Sequence, residues 1–273
     1  MLKMLLSDST FKDLRNYIYD ISGIYIADTK KYLIESRLSR ILQEKKLTCY
    51  EDYFKMLKVG INGNELSRLF DAVTTNETYF FREPHQFELL LNTLFPKIMQ
   101  ESPGKKIKIW SAACSTGEEP YTMAMMLNEK FRNLSNVEIY ASDISEGVLS
   151  SAKKAMYNSY SVRNVPENYM KKYFSPNGQM FDLNPTIKQA VKFMKINLID
   201  DKNIRNARGV DIIFCRNVLI YFDVNAKQKV VSNLYDNLNP GGRLIIGSSE
   251  SLHNITRAFR PHIDNKVIVY HKV

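Results

Sequence analysis

The chain has 273 residues, 44% hydrophobic and 25% charged, with 38 basic against 29 acidic side chains for a net charge of +9. Length at roughly 150 residues per domain suggests two domains or one domain with a helper, and the composition excludes a disordered, collagen-like or coiled-coil chain. No window approaches 18 consecutive apolar residues and the start (MLKMLLSDST) turns polar too soon for a signal peptide, so a cytoplasmic protein without membrane insertion is expected.

In chain order, residues 1–72 read as a small helical domain. Apolar residues recur at helical spacing in Phe11, Leu14, Ile18 and Ile21, with Gly23 as the stop, and again in Ile34, Leu38, Ile41 and Leu42. A third helix is expected over Tyr50 to Leu57, and a fourth after an INGN turn at 61–64, through Leu66, Leu69 and Phe70. Residues 73–104 read as a linker and helix. From 105 to 273 short β-rich runs alternate with helix-length segments, the pattern of a mostly parallel α/β sheet. The strands are placed at 106–113, 137–142, 191–197, 210–216, 243–249 and 266–273, with helices at 119–132, 145–156 and 225–237. Residues 250–265 are too short for a full crossover, so the last strand is expected to run antiparallel. The stretch before the third strand holds SPNGQ (175–179) and LNP (183–185), and a compact β insert is expected over about 167–190.

The three cysteines, Cys49, Cys114 and Cys215, form no CxxC pair and read as reduced core thiols. The four histidines lack ligand spacing, so no metal site is expected. The basic charge points to an anionic partner but is spread along the chain without a run of like charge, which argues against a nucleic-acid tail.

The first strand leads into SAACSTGEEPYT (111–122), a small-residue turn that lets backbone approach a ligand. Only one glycine is present, so the dinucleotide fingerprint is absent. Glu118 and Glu119 at the following helix start disfavour a phosphate there. A nucleoside with a cationic part fits better. Asp143, at the end of the second strand and 26 residues beyond Gly117, is placed either to grip ribose hydroxyls or to cap the next helix. NPGGRLIIGSSE (239–250) places a Pro-Gly-Gly turn before a buried strand, which resembles the class I S-adenosylmethionine methyltransferases (Rossmann-like).

A sharper resemblance is carried by TTNETYFFRE (74–83), WSAACSTGEEPYT (110–122), SDIS (142–145), Asn197 with Leu198, and FCRNVLIYFD (214–223). Together these resemble the chemotaxis receptor methyltransferase family (CheR), over nearly the whole chain. The resemblance implies an N-terminal all-helical receptor-recognition domain, a methyltransferase domain with a small inserted β subdomain, and S-adenosyl-L-methionine as cofactor with S-adenosyl-L-homocysteine as product. It implies a protein-glutamate O-methyltransferase acting on methyl-accepting chemoreceptor cytoplasmic domains, and a free-standing monomer is expected. Carried over by residue, Asn76, Thr78 and Arg82 approach the cofactor, Glu118 meets its amino-acid portion and Asp143 its ribose. Asn197 and Leu198 border the adenine, Arg216 and Asn217 close the pocket, and Tyr221 stands near the transferred methyl. Tyr79, Phe80 and Phe81 are read as hydrophobic packing.

A glutamate carboxylate is ionised at neutral pH, so no general base is needed, and Arg82 is the candidate for orienting a carboxylate through its guanidinium fork. The helix over 30–46 carries six basic and two acidic residues, and Arg37 with Arg40 flank its apolar stripe as candidates for binding an acidic receptor helix. Two rivals are a nucleic-acid methyltransferase and a non-catalytic cofactor-binding scaffold. Amino-group methyltransferases on adenine commonly carry a [DN]PP[YFW] tetrapeptide where this chain has RNVLIY (216–221), which disfavours the first. The retained set Arg82, Glu118, Asp143, Asn217 and Tyr221 disfavours the second. Some members of the family hold a receptor tether through the β insert; no residues are assigned to that role.

Overall fold

The computed structural model describes residues 4–59, 63–132 and 134–273. Four helices open the chain: α1 (Asp8–Ser22), α2 (Lys31–Glu44), α3 (Tyr50–Val59) and α4 (Gly63–Val73). Ser7 caps α1 by accepting the Thr10 N–H, and Gly23 ends it at φ 72°, its N–H donating to the Tyr19 carbonyl at 2.7 Å. The apolar stripes meet as one core in which Leu14, Ile18, Leu38, Tyr50 and Tyr53 are fully buried. Of the expected INGN turn, Ile61 and Asn62 lie outside the described residues, and Gly63 and Asn64 already belong to α4.

One continuous helical rod follows, α5 (Pro84–Leu89) and α6 (Phe95–Glu101) joined by a π-helical stretch, Leu90–Leu94. Pro96 has no N–H and its ring would press on the preceding turn, so the wider π turn is where the rod accommodates it. The remaining elements are β1 (Ile107–Ala112), α7 (Glu118–Phe131), β2 (Val137–Asp143), α8 (Glu146–Lys154), β3 (Met156–Tyr157), α9 (Ser159–Val162), α10 (Glu167–Tyr173), β4 (Phe174–Asn177), β5 (Met180–Leu183), α11 (Pro185–Gln189), β6 (Val191–Lys195), β7 (Val210–Cys215), α12 (Val224–Asn237), β8 (Leu238–Ile246), β9 (Phe259–Asp264) and β10 (Val267–Lys272).

Seven strands form the main sheet in the order β6-β2-β1-β7-β8-β10-β9. The first five pair in parallel; β10 runs antiparallel to both β8 and β9. Alternation along β1 sends Ile107 and Ile109 into the core beneath the α5–α6 rod and α7, and Trp110 and Ala112 into the core beneath α12. The antiparallel last strand is as expected, while β9 was missed. It is an edge strand, FRPHID, and its proline and charges hide any β pattern.

Two further expectations need correction. The Pro-Gly-Gly segment is not a turn ahead of a strand but a loop-out inside β8. Val210 pairs with Leu238 and Ile212 already with Arg243, so three extra residues bulge from β8, with Gly241 at φ 72°. The small sheet, in the order β3-β5-β4, starts at Met156 rather than near 167, because Met156 and Tyr157 leave the helix read over 145–156 and pair with Asp182 and Phe181. The β4–β5 hairpin turns at Gly178, φ 61°, inside SPNGQ.

Candidate active site

The parallel strands β1, β2 and β7 end together, and the crevice beyond their carboxyl ends is where a sheet of this kind binds ligands. The loop after β1 folds back through left-handed conformations at Ala113 (φ 60°), Ser115 (φ 50°) and Gly117 (φ 92°). Non-glycine residues held there store of order 1–3 kcal/mol each, a cost met at sites where backbone must face a ligand. Among the bonds that hold the loop, Cys114 donates its N–H to the Ser142 carbonyl at 2.8 Å, and Ser115 donates its N–H to Asp143 Oδ2 at 2.9 Å and its hydroxyl to the Asn76 carbonyl at 2.9 Å.

The resulting cavity, about 300 Å³, is lined by Asn76, Thr78, Arg82, Asp143, Asn197, Leu198, Arg216, Asn217 and Tyr221 among the residues singled out from sequence. Ser115, Tyr79, Glu119 and, from the end of α1 and the segment after it, Ser22 and Ile24 also line it. Asp143 is buried and accepts from the N–H groups of Ser115 and Ser145. Burial pushes its carboxyl up, and the backbone donors of Ser145, Ser115 and Ile144 oppose that. It does not cap the next helix. Ser145 does, through its hydroxyl to the Val148 N–H, and that leaves Asp143 facing the cavity. Asn197 lines the wall, but its amide Nδ2 donates to the Ile21 carbonyl at 2.6 Å, tying the crevice to α1.

Glu118 departs from expectation, for its carboxylate turns away from the cavity. It accepts the Thr116 hydroxyl at 2.7 and 2.9 Å and the Ser161 hydroxyl at 3.1 Å, and burial pushes its carboxyl up. One residue on, about 100° around α7, Glu119 faces the cavity instead. Its carboxylate accepts from the Ser111 hydroxyl at 2.7 Å and from Arg216 Nη1 at 2.9 Å; burial pushes it up, with Arg216 and Ser111 working against the shift. The helical spacing alone signalled that only one of the two adjacent acids could face the crevice.

Arg216 is the hub of the site. Its side chain is 2% exposed, and Nη2 donates to the Arg82 carbonyl at 2.6 Å and to Glu83 Oε2 at 3.2 Å. Glu83 stands in a left-handed conformation before α5 and also accepts the Ser248 hydroxyl at 2.9 Å. Glu250, which sequence reasoning missed, accepts the N–H groups of Gly247 at 2.7 Å and Asn217 at 2.8 Å, fixing the turn after β7. A Cβ at Gly247 would sit 2.8 Å from the Asn217 amide and from Glu250, so only glycine fits beside this clamp. Arg82, by contrast, makes one hydrogen bond, to the Glu77 carbonyl at 3.2 Å, and has no carboxylate partner among the described residues.

The helix α2 does not present its full charge. Arg37 is drawn to the linker, donating to the Val73 carbonyl and, at 2.8 Å, to the Thr75 hydroxyl, so it supports the cavity wall instead of facing a partner. Lys31 pairs with Asp8 at 2.5 Å and Lys45 with Glu65 at 2.6 Å. Arg40 remains at the surface beside Glu44 at 2.9 Å. Phe80 and Phe81 are buried as expected; Tyr79 lines the cavity. Cys114 and Cys215 are buried, whereas Cys49 is only half-buried.

The set of polar groups suits a nucleoside with a charged amino-acid tail: Asp143 and Glu119 as acceptors, Arg82 with free donors, and a buried Arg216 Nε without an acceptor among the described residues. This sheet order and crevice define a class I S-adenosylmethionine-dependent methyltransferase. Residues 76–267 match the CheR methyltransferase SAM binding domain and residues 9–74 the CheR methyltransferase all-alpha domain, and the chain belongs to that family. Chemotaxis protein methyltransferase 2 of Vibrio cholerae is 37% identical over 100% of this chain and 96% of its own length. The chemotaxis protein methyltransferase of Borreliella burgdorferi is 38% identical over 86% and 85%, and chemotaxis protein methyltransferase 1 of Pseudomonas aeruginosa 32% over 92% and 93%. The protein is a methyltransferase of chemotaxis with S-adenosylmethionine as its cofactor.

Proposed function

We propose that this chain esterifies glutamate side chains on the cytoplasmic helices of chemoreceptors. The observation that carries the reading is Arg82, a guanidinium on the cavity wall with free donors and no acidic partner among the described residues, placed to receive a carboxylate. The names of the relatives, all chemotaxis methyltransferases, supply the biological setting.

Bound S-adenosylmethionine supplies a methyl carbon made electrophilic by its sulfonium. The residues of this chain then bind, orient and exclude water. Asp143 is the acceptor for ribose hydroxyls, Leu198 and the backbone of Asn197 border the base, and Glu119 takes the ammonium of the amino-acid tail, the role first carried to Glu118. Thr78 and Asn76 bring the linker over the cofactor, Asn217 closes the crevice, and Tyr221 stands beside the transferred group. A carboxylate with a pKa near 4.3 is already the nucleophile at neutral pH, so no proton moves and no base is required. Orientation alone can supply roughly 7–11 kcal/mol of the barrier. Arg40 contributes to receptor binding from the surface of α2.

Transfer of radiolabelled methyl from S-adenosylmethionine to a receptor cytoplasmic fragment, scored as methanol released by mild alkali, tests the reading. Base-labile label on the receptor supports it. Label that resists alkali, label on nucleic acid only, or cofactor binding without transfer refutes it.

A further inference from the structure

The β insert reaches the active-site rim through one short element. The Phe80 N–H donates to the Ser161 carbonyl at 3.0 Å, the Ser161 hydroxyl to Glu118, and the Tyr160 hydroxyl to Glu77 Oε1 at 2.7 Å. So α9 is bonded to the same linker segment that lines the cavity. Arg163, directly after α9, projects from this junction. Its guanidinium lies 3.8 Å from the ring centre of Tyr79 and 3.7 Å from that of Tyr160, between two aromatic rings. Arg82 approaches the same Tyr79 ring at 5.7 Å. Two guanidiniums thus share one tyrosine that lines the cavity.

Neither has a carboxylate within ion-pair distance among the described residues. Arg163 is exposed, and its one side-chain hydrogen bond among the described residues, from Nη1 to the Tyr160 carbonyl at 2.5 Å, leaves its other donors free of them. The exposed cations Arg40, Lys171 and Lys172 each stand beside a carboxylate, whereas Arg163 stands against two rings. A stacked guanidinium has already given up side-chain freedom, so it binds an anion with less further ordering.

We propose that Arg163 is a substrate-positioning residue, which takes a second carboxylate of the acidic substrate helix while Arg82 receives the one being methylated. This rests on the glutamate-methylating reading. Side chains three or four residues apart on a helix stand about 5–6 Å apart at Cβ, a spacing suited to two guanidiniums held on one ring. The insert thereby selects glutamates that have an acidic neighbour within one helical turn.

The test compares wild type, Arg163→Ala and Arg163→Lys on a receptor cytoplasmic fragment and on the same fragment with the acidic neighbours of the methylated glutamate replaced by glutamine. Arg163→Ala should raise KM for the acidic fragment about tenfold, as for loss of a charged hydrogen bond, with kcat and the cofactor Kd unchanged. It should show no further loss on the neutralised fragment. Arg163→Lys, which keeps the charge without the planar stack, should fall between. An unchanged KM, a penalty that persists on the neutralised fragment, or a weakened cofactor Kd overturns the proposal. Base-labile methylation of the acidic fragment by wild type is the separate control: its absence defeats the parent reading, whereas its presence with no effect of Arg163→Ala defeats only this inference.

Discussion

Replacing Arg216 by methionine isolates the energetics of the site's hub. The variant keeps a similar volume against Phe87, whose ring centre lies 5.1 Å from the guanidinium carbon, but removes the donors serving Glu119, Glu83 and the Arg82 carbonyl. Both carboxylate side chains are largely buried, 14% and 21% exposed. Breaking a buried pair by removing one partner costs about 3–5 kcal/mol because a charge is left uncompensated. For a chain of this size each kcal/mol moves Tm by about 2–4 °C, so thermal unfolding should occur on the order of 10 °C lower at pH 7. Adding Glu119→Gln should recover part of that loss, since the second change removes one of the stranded charges.

The same variant carries a pH signature. In the intact protein burial would raise the Glu83 carboxyl, but Arg216 and the Ser248 donors outweigh it and hold the group below its ordinary range. A depressed carboxyl stabilises the fold above its unfolded pKa and loses that contribution as pH falls through the folded value. Without Arg216 only the Ser248 donors at Glu83 and the Ser111 hydroxyl at Glu119 oppose the burial effect. Glu83 and Glu119 then take up protons on folding, and the variant gains stability on acidification. The gap between wild type and Arg216→Met should be widest near pH 7 and narrower near pH 5, in calorimetric scans at both. A variant as stable as wild type, or a gap independent of pH, would refute the assignment of Arg216 as the counter-charge.

Three further outcomes are expected. Glu119→Gln should weaken cofactor binding about 10- to 100-fold by calorimetry, the scale of a lost charged hydrogen bond, while Glu118→Gln should change it little; equal effects would return the role to Glu118. Arg40→Glu should raise KM for the receptor and leave cofactor Kd intact, whereas Arg37→Glu should impair both because it releases Val73 and Thr75 beside the cavity. Arg82→Ala should lose most turnover with an unchanged far-ultraviolet spectrum, and near wild-type turnover in that variant would remove Arg82 from the reaction.

Much of the architecture was legible because the parallel strands are buried on both faces, so β1, β2 and β7 appear as β-branched runs. Elements at the periphery were not. At β9 a proline and polar residues suit an edge, and β3 is only two residues long, too short for any period to register. The site was legible as residue types and not as directions. Nothing in the spacing of α2 shows that Arg37 bends toward Val73 while Arg40 stays at the surface beside Glu44, since both flank the same apolar stripe. The left-handed turns at Ala113 and Ser115 were also hidden, because neither is a glycine and tertiary bonds hold them, from Cys114 to the Ser142 carbonyl and from Ser115 to Asp143 and Asn76.

The helical domain helps to hold the cavity. Asp71 of α4 accepts from the Ser145 hydroxyl at 2.5 Å and from the Gly147 N–H at 3.1 Å, and Ser145 in turn donates its own N–H to Asp143 at 3.0 Å. A Cβ at Gly147 would stand 2.9 Å from the Asp71 carboxylate, so that residue must be small for the acid to reach the start of α8. On the opposite wall the Tyr25 N–H donates to the Tyr221 carbonyl at 2.9 Å, and Asn197 holds the Ile21 carbonyl. Asp143 and Asn197 are each one or two hydrogen bonds from α4 or α1, and Tyr221 is one from the segment that follows α1. Any shift of the helical domain against the sheet must therefore be felt at the cavity, and a helical domain cut away from the sheet would take part of the cavity wall with it.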